Sequence, residues 1–112
     1  MIKGTGQKYN GLILVVVSES PLAQIDPSKK LIENEGVKYK LVIADITKEG
    51  ECKKVVDGCV EEFGSIDILM NNAGMCINEP DVTKFTRVQW DKMVNLNLTS
   101  CFEMSHEASK YM

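Results

Sequence analysis

No stretch of this 112-residue chain approaches the ~20 apolar residues of a membrane helix. The opening, Met1-Ile2-Lys3-Gly4-Thr5-Gly6, lacks a secretory layout. The apolar run Leu12–Val17 is too short for a signal core and has no small-residue cleavage site after it. A cytoplasmic location is therefore expected, with no membrane partner. There is also no basic patch or stripe. Thirteen Lys and Arg residues are interspersed with 16 Asp and Glu, for a formal net charge of −3, which argues against nucleic acid as a partner. Lys29-Lys30 and Lys53-Lys54 read as solvated helix faces. The four cysteines, Cys52, Cys59, Cys76 and Cys101, form no Cys-x-x-Cys pair, so no metal site is expected. Cys52 and Cys59 read as small core residues, and buried reduced thiols fit a cytosolic protein. Asn97-Leu98-Thr99 matches a glycosylation sequon, but it falls inside a helical pattern and is read as accidental.

What is present is an alternation of strand and helix patterns. Residues 1–10 are polar, carry Gly4 and Gly6, and read as a loose lead-in. Leu12–Val17 is a β-branched run suited to a buried strand. Residues 22–27 are ambiguous. Residues 28–35 fit two turns of helix, with Gly36 as the stop. Lys38 to Ala44 predicts a second strand that ends at Asp45-Ile46-Thr47. Cys52, Val55, Val56, Cys59, Val60 and Phe63 then fall on one helical stripe, with Gly64 at the C′ position. A third strand is expected at Ile66–Met70, followed by a loop holding Pro80. A long helix is predicted from about Arg87 to Met112, with Val94, Leu98, Cys101, Ser105, Ala108 and Met112 along one side. Trp90 is expected to anchor that helix to the sheet. Met70, Met75, Met93 and Met104 read as core filler. The alternation calls for a parallel sheet with helices on its faces, in one domain.

The run Ile66-Asp67-Ile68-Leu69-Met70 stops at Asn71-Asn72-Ala73-Gly74. Ligands of open parallel sheets bind just outside the carboxyl ends of strands. Amides there can brace the backbone, and Ala-Gly lets a flat ligand approach closely. Asn97 falls near the apolar stripe of the long helix. A buried amide must find partners or cost ~1–3 kcal/mol, and a bond to neighbouring backbone is its plainest explanation. Asp45, at a strand end, reads equally as a cap or turn residue. His106, the single histidine, stands on the polar side of the helix and reads as a surface residue.

Three segments together resemble the classical short-chain dehydrogenase/reductase family: Asp45-Ile46-Thr47, Phe63 to Gly74, and Trp90 to Phe102. Their order and spacing match as well, over about residues 37–112, while residues 1–36 diverge. The stretch Asn71–Pro80 looks like members acting on sugars, polyols or small ketones. The resemblance implies an incomplete Rossmann-like, three-layer α/β fold: a parallel sheet of about three strands with flanking helices. It implies a partial dinucleotide-binding domain over 1–112, with NAD or NADP as cofactor. Asp45 would accept from the adenine amino group, assisted by the Ile46 backbone. Asn72, Ala73 and Gly74 would lie along the adenine-side ribose, and Asn71 would brace the central strands. Asn97 matches the helix asparagine that holds a water on the proton-relay path to the active-site lysine.

Three departures limit what the resemblance implies. The glycine-rich pyrophosphate turn should follow the first strand, but Val17-Ser18-Glu19-Ser20-Pro21-Leu22-Ala23-Gln24 stands there. Between Leu12–Val17 and Leu41–Ala44 the family fits a helix, a strand and a second helix, and only one short helix fits here. The chain also reaches Met112 without the catalytic serine or a Tyr-x-x-x-Lys pair. The expectation is a partial NAD(P)-dependent oxidoreductase, inactive alone, whose parent family transforms small alcohols and carbonyls. The alternative is a non-enzymatic binding or self-association module on the same half-sheet. Related helices build dimers and tetramers in the family, so homo-oligomerisation belongs to that alternative.

Overall fold

Apolar residues spaced at helical period need one common surface to face, and residues 51–63 have it. The computed structural model describes residues 2–6, 8–16, 26–36 and 38–112. In it Glu51–Phe63 is a helix whose Cys52, Val55, Val56 and Cys59 are buried. Gly64 closes it in the left-handed region at φ 82°, its N–H donating to the Val60 carbonyl at 2.8 Å. This stripe and its glycine stop stand as the sequence predicts them.

In chain order the elements are β1 (Ile2–Gly6), β2 (Lys8–Val16), α1 (Asp26–Asn34), β3 (Lys38–Ile43), α2 (Glu51–Phe63), β4 (Ile68–Leu69), a 3-10 turn (Val82–Lys84), α3 (Arg87–Val94), a π-turn (Asn95–Thr99) and α4 (Ser100–Ala108). The last three form one long helix. Gly36, at φ 68°, follows α1 as its stop. The sheet order is β3-β2-β1-β4. β2 and β3 are parallel, with Gly11 opposite Lys38 through Val16 opposite Ile43. β1 is antiparallel to both β2 and β4, so β2, β3 and β4 all run the same way. The fold is an incomplete Rossmann-like α/β fold with three parallel strands.

Several expectations need correction. Residues 2–6 and 8–10 are not a loose lead-in; they form β1 and the start of β2. β2 and β3 are neighbours joined through α1, so no strand is missing between them. In the doubly wound order 3-2-1-4, the run Leu12–Val16 holds the second lane rather than the first. β1 fills the lane of the first strand but runs the opposite way. The residues after β2, including Val17 to Gln24 where the glycine-rich turn was sought, lie outside the described residues up to Ile25.

The third strand is shorter than expected. Only Ile68–Leu69 pair, with Lys3 and Ile2. Ile66 is buried, but Ile68 and Met70 are exposed.

The long helix also turns differently from its predicted stripe. Leu96, Ser100, Met104 and Ala108, spaced by four, face the core, while Leu98, Ser105 and Met112 are exposed. A π-turn adds a residue to one helical turn and rotates the face that follows it. Trp90 is 56% exposed and does not anchor the helix. Of the four methionines read as filler, Met104 is buried, Met75 and Met93 are half-buried and Met70 is exposed. α2 packs against α4 and against β1, β2 and β3, and this junction holds the core.

Candidate dinucleotide edge

β3 and β4 run the same way, so the segments that leave them emerge at one edge of the sheet. From β3 come Ala44-Asp45-Ile46-Thr47, and from β4 come Met70 to Gly74. β2 and β1 stand between them, so three inter-strand spacings of about 4.8 Å each separate the two strands.

Asp45 closes a tight turn. Its Oδ1 accepts from the Thr47 backbone N–H at 3.1 Å and from the Thr47 hydroxyl at 2.6 Å. The Lys48 N–H donates to the Asp45 carbonyl at 2.9 Å, and the Lys48 ammonium lies 3.4 Å from Oδ2. These partners, the Thr47 hydroxyl first, hold the carboxyl below its ordinary range. Asp45 therefore has the geometry of a turn residue, with an ionised acceptor at the strand end. Ala44 and Ile46, on either side, are buried in the core. The Ile46 carbonyl accepts from the Cys52 thiol at 3.5 Å.

In the second segment Asn72 and Gly74 are exposed, and Ala73 is half-buried against the core. Asn71 donates from Nδ2 to the Ser105 hydroxyl at 3.1 Å, and that hydroxyl donates to the Cys101 carbonyl at 2.7 Å. Asn71 is thus tied to α4. Asn97 is exposed rather than buried, and its amide both donates and accepts. Its Oδ1 accepts from the Met75 N–H at 2.9 Å, and its Nδ2 donates to the Met75 carbonyl at 2.8 Å. Gly74 is needed for this clamp: a Cβ there would stand 2.8 Å from Asn97 Oδ1. The sequence suggested that Gly74 makes room for a ligand, and in the structure the neighbour that comes close is an asparagine.

The structure also adds residues that the sequence reading missed. Asn95 Nδ2 donates to the Thr47 carbonyl at 3.2 Å. Asn95 and Asn97 are the two amides of one Asn-Leu-Asn segment, and that spacing within a helical pattern was the available signal. The edge thus offers an ionised acceptor, with one backbone turn and one irregular loop anchored to one helix. His106 is exposed and stacks on Phe102, with ring centroids 5.9 Å apart. Among the described residues no group of three or more His, Cys, Asp or Glu could hold a metal ion. No helix among them is long and apolar enough to cross a membrane.

Comparison with known proteins points to one family. The family model described as short chain dehydrogenase matches residues 7–112, well upstream of Val37. An uncharacterised oxidoreductase of Escherichia coli, YgcW, is 45% identical over 86 residues, 76% of this chain and 32% of that protein. The 2-dehydro-3-deoxy-D-gluconate 5-dehydrogenase of the same organism is 41% identical over 76 residues, 68% of this chain and 30% of its own length. The chain thus spans about a third of the curated relatives it matches. Among solved structures, a blue fluorescent protein from a metagenomic library, in complex with NADPH, superposes with a TM-score of 0.79 at 22% identity. That superposition covers 89% of this chain and 40% of that one, and it shows likeness of fold.

Proposed function

The chain belongs to the short-chain dehydrogenase/reductase family, and from that premise we propose that its 112 residues carry the adenosine half of an NAD(P) site. Asp45 would accept from the adenine amino group, with the Ile46 backbone beside it. Asn72, Ala73 and Gly74 would line the adenine-side ribose. Asn97 would hold the loop that leads from this half-site toward the reacting carbon, in addition to any part in a proton relay. The observation that supports this reading is that the Asp45 turn and the loop Asn72–Met75 leave one sheet edge and are both bonded to one helical turn, through Thr47 and Met75. In open α/β sheets that edge is where ligands bind.

The parent reaction is hydride transfer between a nicotinamide and a small alcohol or carbonyl. The relative named for 2-dehydro-3-deoxy-D-gluconate supports a sugar-acid or polyol class. The chain contains no Tyr-x-x-x-Lys, and acid catalysis needs a positioned donor. The 112-residue chain is therefore expected to bind nucleotide weakly without turnover, and a cytoplasmic setting suits that role.

Calorimetric titration tests this. 5′-AMP and NAD(P)+ are expected to bind alike and in the millimolar range, since only the adenosine half is contacted. No NAD(P)H oxidation is expected with sugars or small ketones. Turnover abolished by Asn97→Ala would overturn the reading of an inactive half-site, and a failure to bind any adenosine nucleotide would overturn the site itself.

A second reading has its own observation. Trp90, Leu98 and Phe102, spaced by fours and eights along the long helix, are 56%, 66% and 68% exposed. An apolar stripe of this kind supports self-association. A concentration-independent monomer in sedimentation velocity would count against it.

A further inference from the structure

Local hydrogen bonds give the Asp45–Lys48 turn its shape, but they do not fix its position against the rest of the molecule. Asp45 Oδ1 gathers Thr47, and the Asp45 carbonyl gathers Lys48. The Ile46 side chain seats one side of the turn in the core. On the other side the Thr47 carbonyl accepts from Asn95 Nδ2 at 3.2 Å, across 48 residues of sequence. We propose that Asn95 is a positioning residue of the adenosine half-site: it orients the Asp45 carboxylate by tethering the Thr47 carbonyl to the π-turn of the long helix.

The proposal rests on the adenosine reading above and adds a residue to it. The π-turn is well suited to the task. In a helix, residues two apart point about 200° from one another, so Asn95 and Asn97 reach to different sides of it. Asn95 takes the loop after β3, and Asn97 takes Met75 in the loop after β4. One helical turn therefore sets the spacing of the two loops that the adenosine must span. Departures from α-helical winding of this kind are frequent at functional sites. The chemistry also requires a hydrogen-bond donor at position 95, which the amide supplies. Its partner is a carbonyl oxygen, which needs a donor. A carboxylate there would be repelled, and an aliphatic group would leave the carbonyl unpaired.

Two variants test this. Asn95→Asp keeps the size and removes the donor, and Asn95→Leu removes polarity altogether. Hydrogen exchange by NMR is the first readout and needs no ligand. The Thr47 and Lys48 amides should exchange about tenfold faster, the loss of roughly one hydrogen bond. The amides of Val55, Val56 and Cys59 in α2, and the Met75 amide, should be unchanged. The second readout is the preference for 5′-AMP over inosine 5′-monophosphate. AMP offers an amino hydrogen to Asp45, whereas the inosine nucleotide offers a carbonyl that the carboxylate repels. The variants should lose that preference, while a merely structural residue would weaken both nucleotides equally.

Unchanged exchange at Thr47 and Lys48, or a uniform rise across the chain, overturns the tether. An intact AMP preference in a variant whose turn has loosened overturns the positioning role. If the unsubstituted chain binds neither nucleotide, the adenosine reading falls and the positioning role with it, while the exchange result still decides the tether by itself.

Discussion

Gly74 and Asn97 show how one residue's identity depends on another far along the chain. The Asn97 carboxamide donates and accepts at the two backbone groups of Met75 and leaves no room for a Cβ at Gly74. Gly74→Ala is expected to push Asn97 off Met75. Losing two partly exposed bonds of about 0.5–1.5 kcal/mol each would lower stability by about 1–3 kcal/mol, readable by urea denaturation. The double variant Gly74→Ala/Asn97→Ala should cost less than the sum of the two single variants, since the clash needs both side chains. Strict additivity would sink this account. Asp45 gives the opposite lesson: its role as a turn residue was legible as one alternative from a strand end followed by Ile-Thr, and the structure supplies that geometry in full.

At the scale of elements, α2 was legible because its signals agree. A six-residue apolar stripe, polar opposite faces and a C′ glycine all point to one helix. The start of the long helix is equally well marked. Thr86 and Gln89 form a reciprocal capping box, with the Gln89 N–H on the Thr86 hydroxyl at 3.2 Å and the Thr86 N–H on Gln89 Oε1 at 2.7 Å. Thr86→Ala should therefore cost about 1 kcal/mol, while Val88→Ala, two residues on and exposed, should stay within about 0.5 kcal/mol. Thermal melts of the two variants separate these outcomes. What periodicity could not supply was the buried face beyond Asn95. A pattern of 3.6 assumes unbroken α-helix, and the π-turn at Asn95–Thr99 changes the phase, so Met104 and Ser100 go inward in place of Leu98 and Ser105.

At the scale of the whole molecule, the core lies where α2 meets α4 and the sheet, and it includes two thiols. Burial pushes the Cys52 thiol up to about 12, helped by the nearby Glu103 carboxylate. Burial also pushes Cys59 up to about 11, partly offset by Lys40. Both stay protonated in the folded chain while the unfolded chain ionises them near 9.0. The native state thus holds more protons in this range, so stability falls as pH rises above about 9. The slope approaches ~1.4 kcal/mol per pH unit for each thiol until the folded values are reached. Urea midpoints between pH 8 and pH 10 check the sign; a profile that falls no faster in the unsubstituted chain than in a Cys52→Ala/Cys59→Ala variant would contradict it. Exposed Cys76 should react with a thiol reagent at once, and the two buried thiols only on unfolding.

Local pattern alone was enough for the α/β alternation, the helix α2 with its glycine stop, and the family motifs around Asp45, Asn72 and Asn97. Those features depend on short-range chemistry: side-chain period, capping and turn residues. Lane order, strand direction and the partners of Asn71, Asn95 and Asn97 depend on contacts between segments 22 to 48 residues apart. Nothing in a strand's own residues states which lane it takes. Pairing decided that the run read as a first strand stands in the second lane, beside an antiparallel β1.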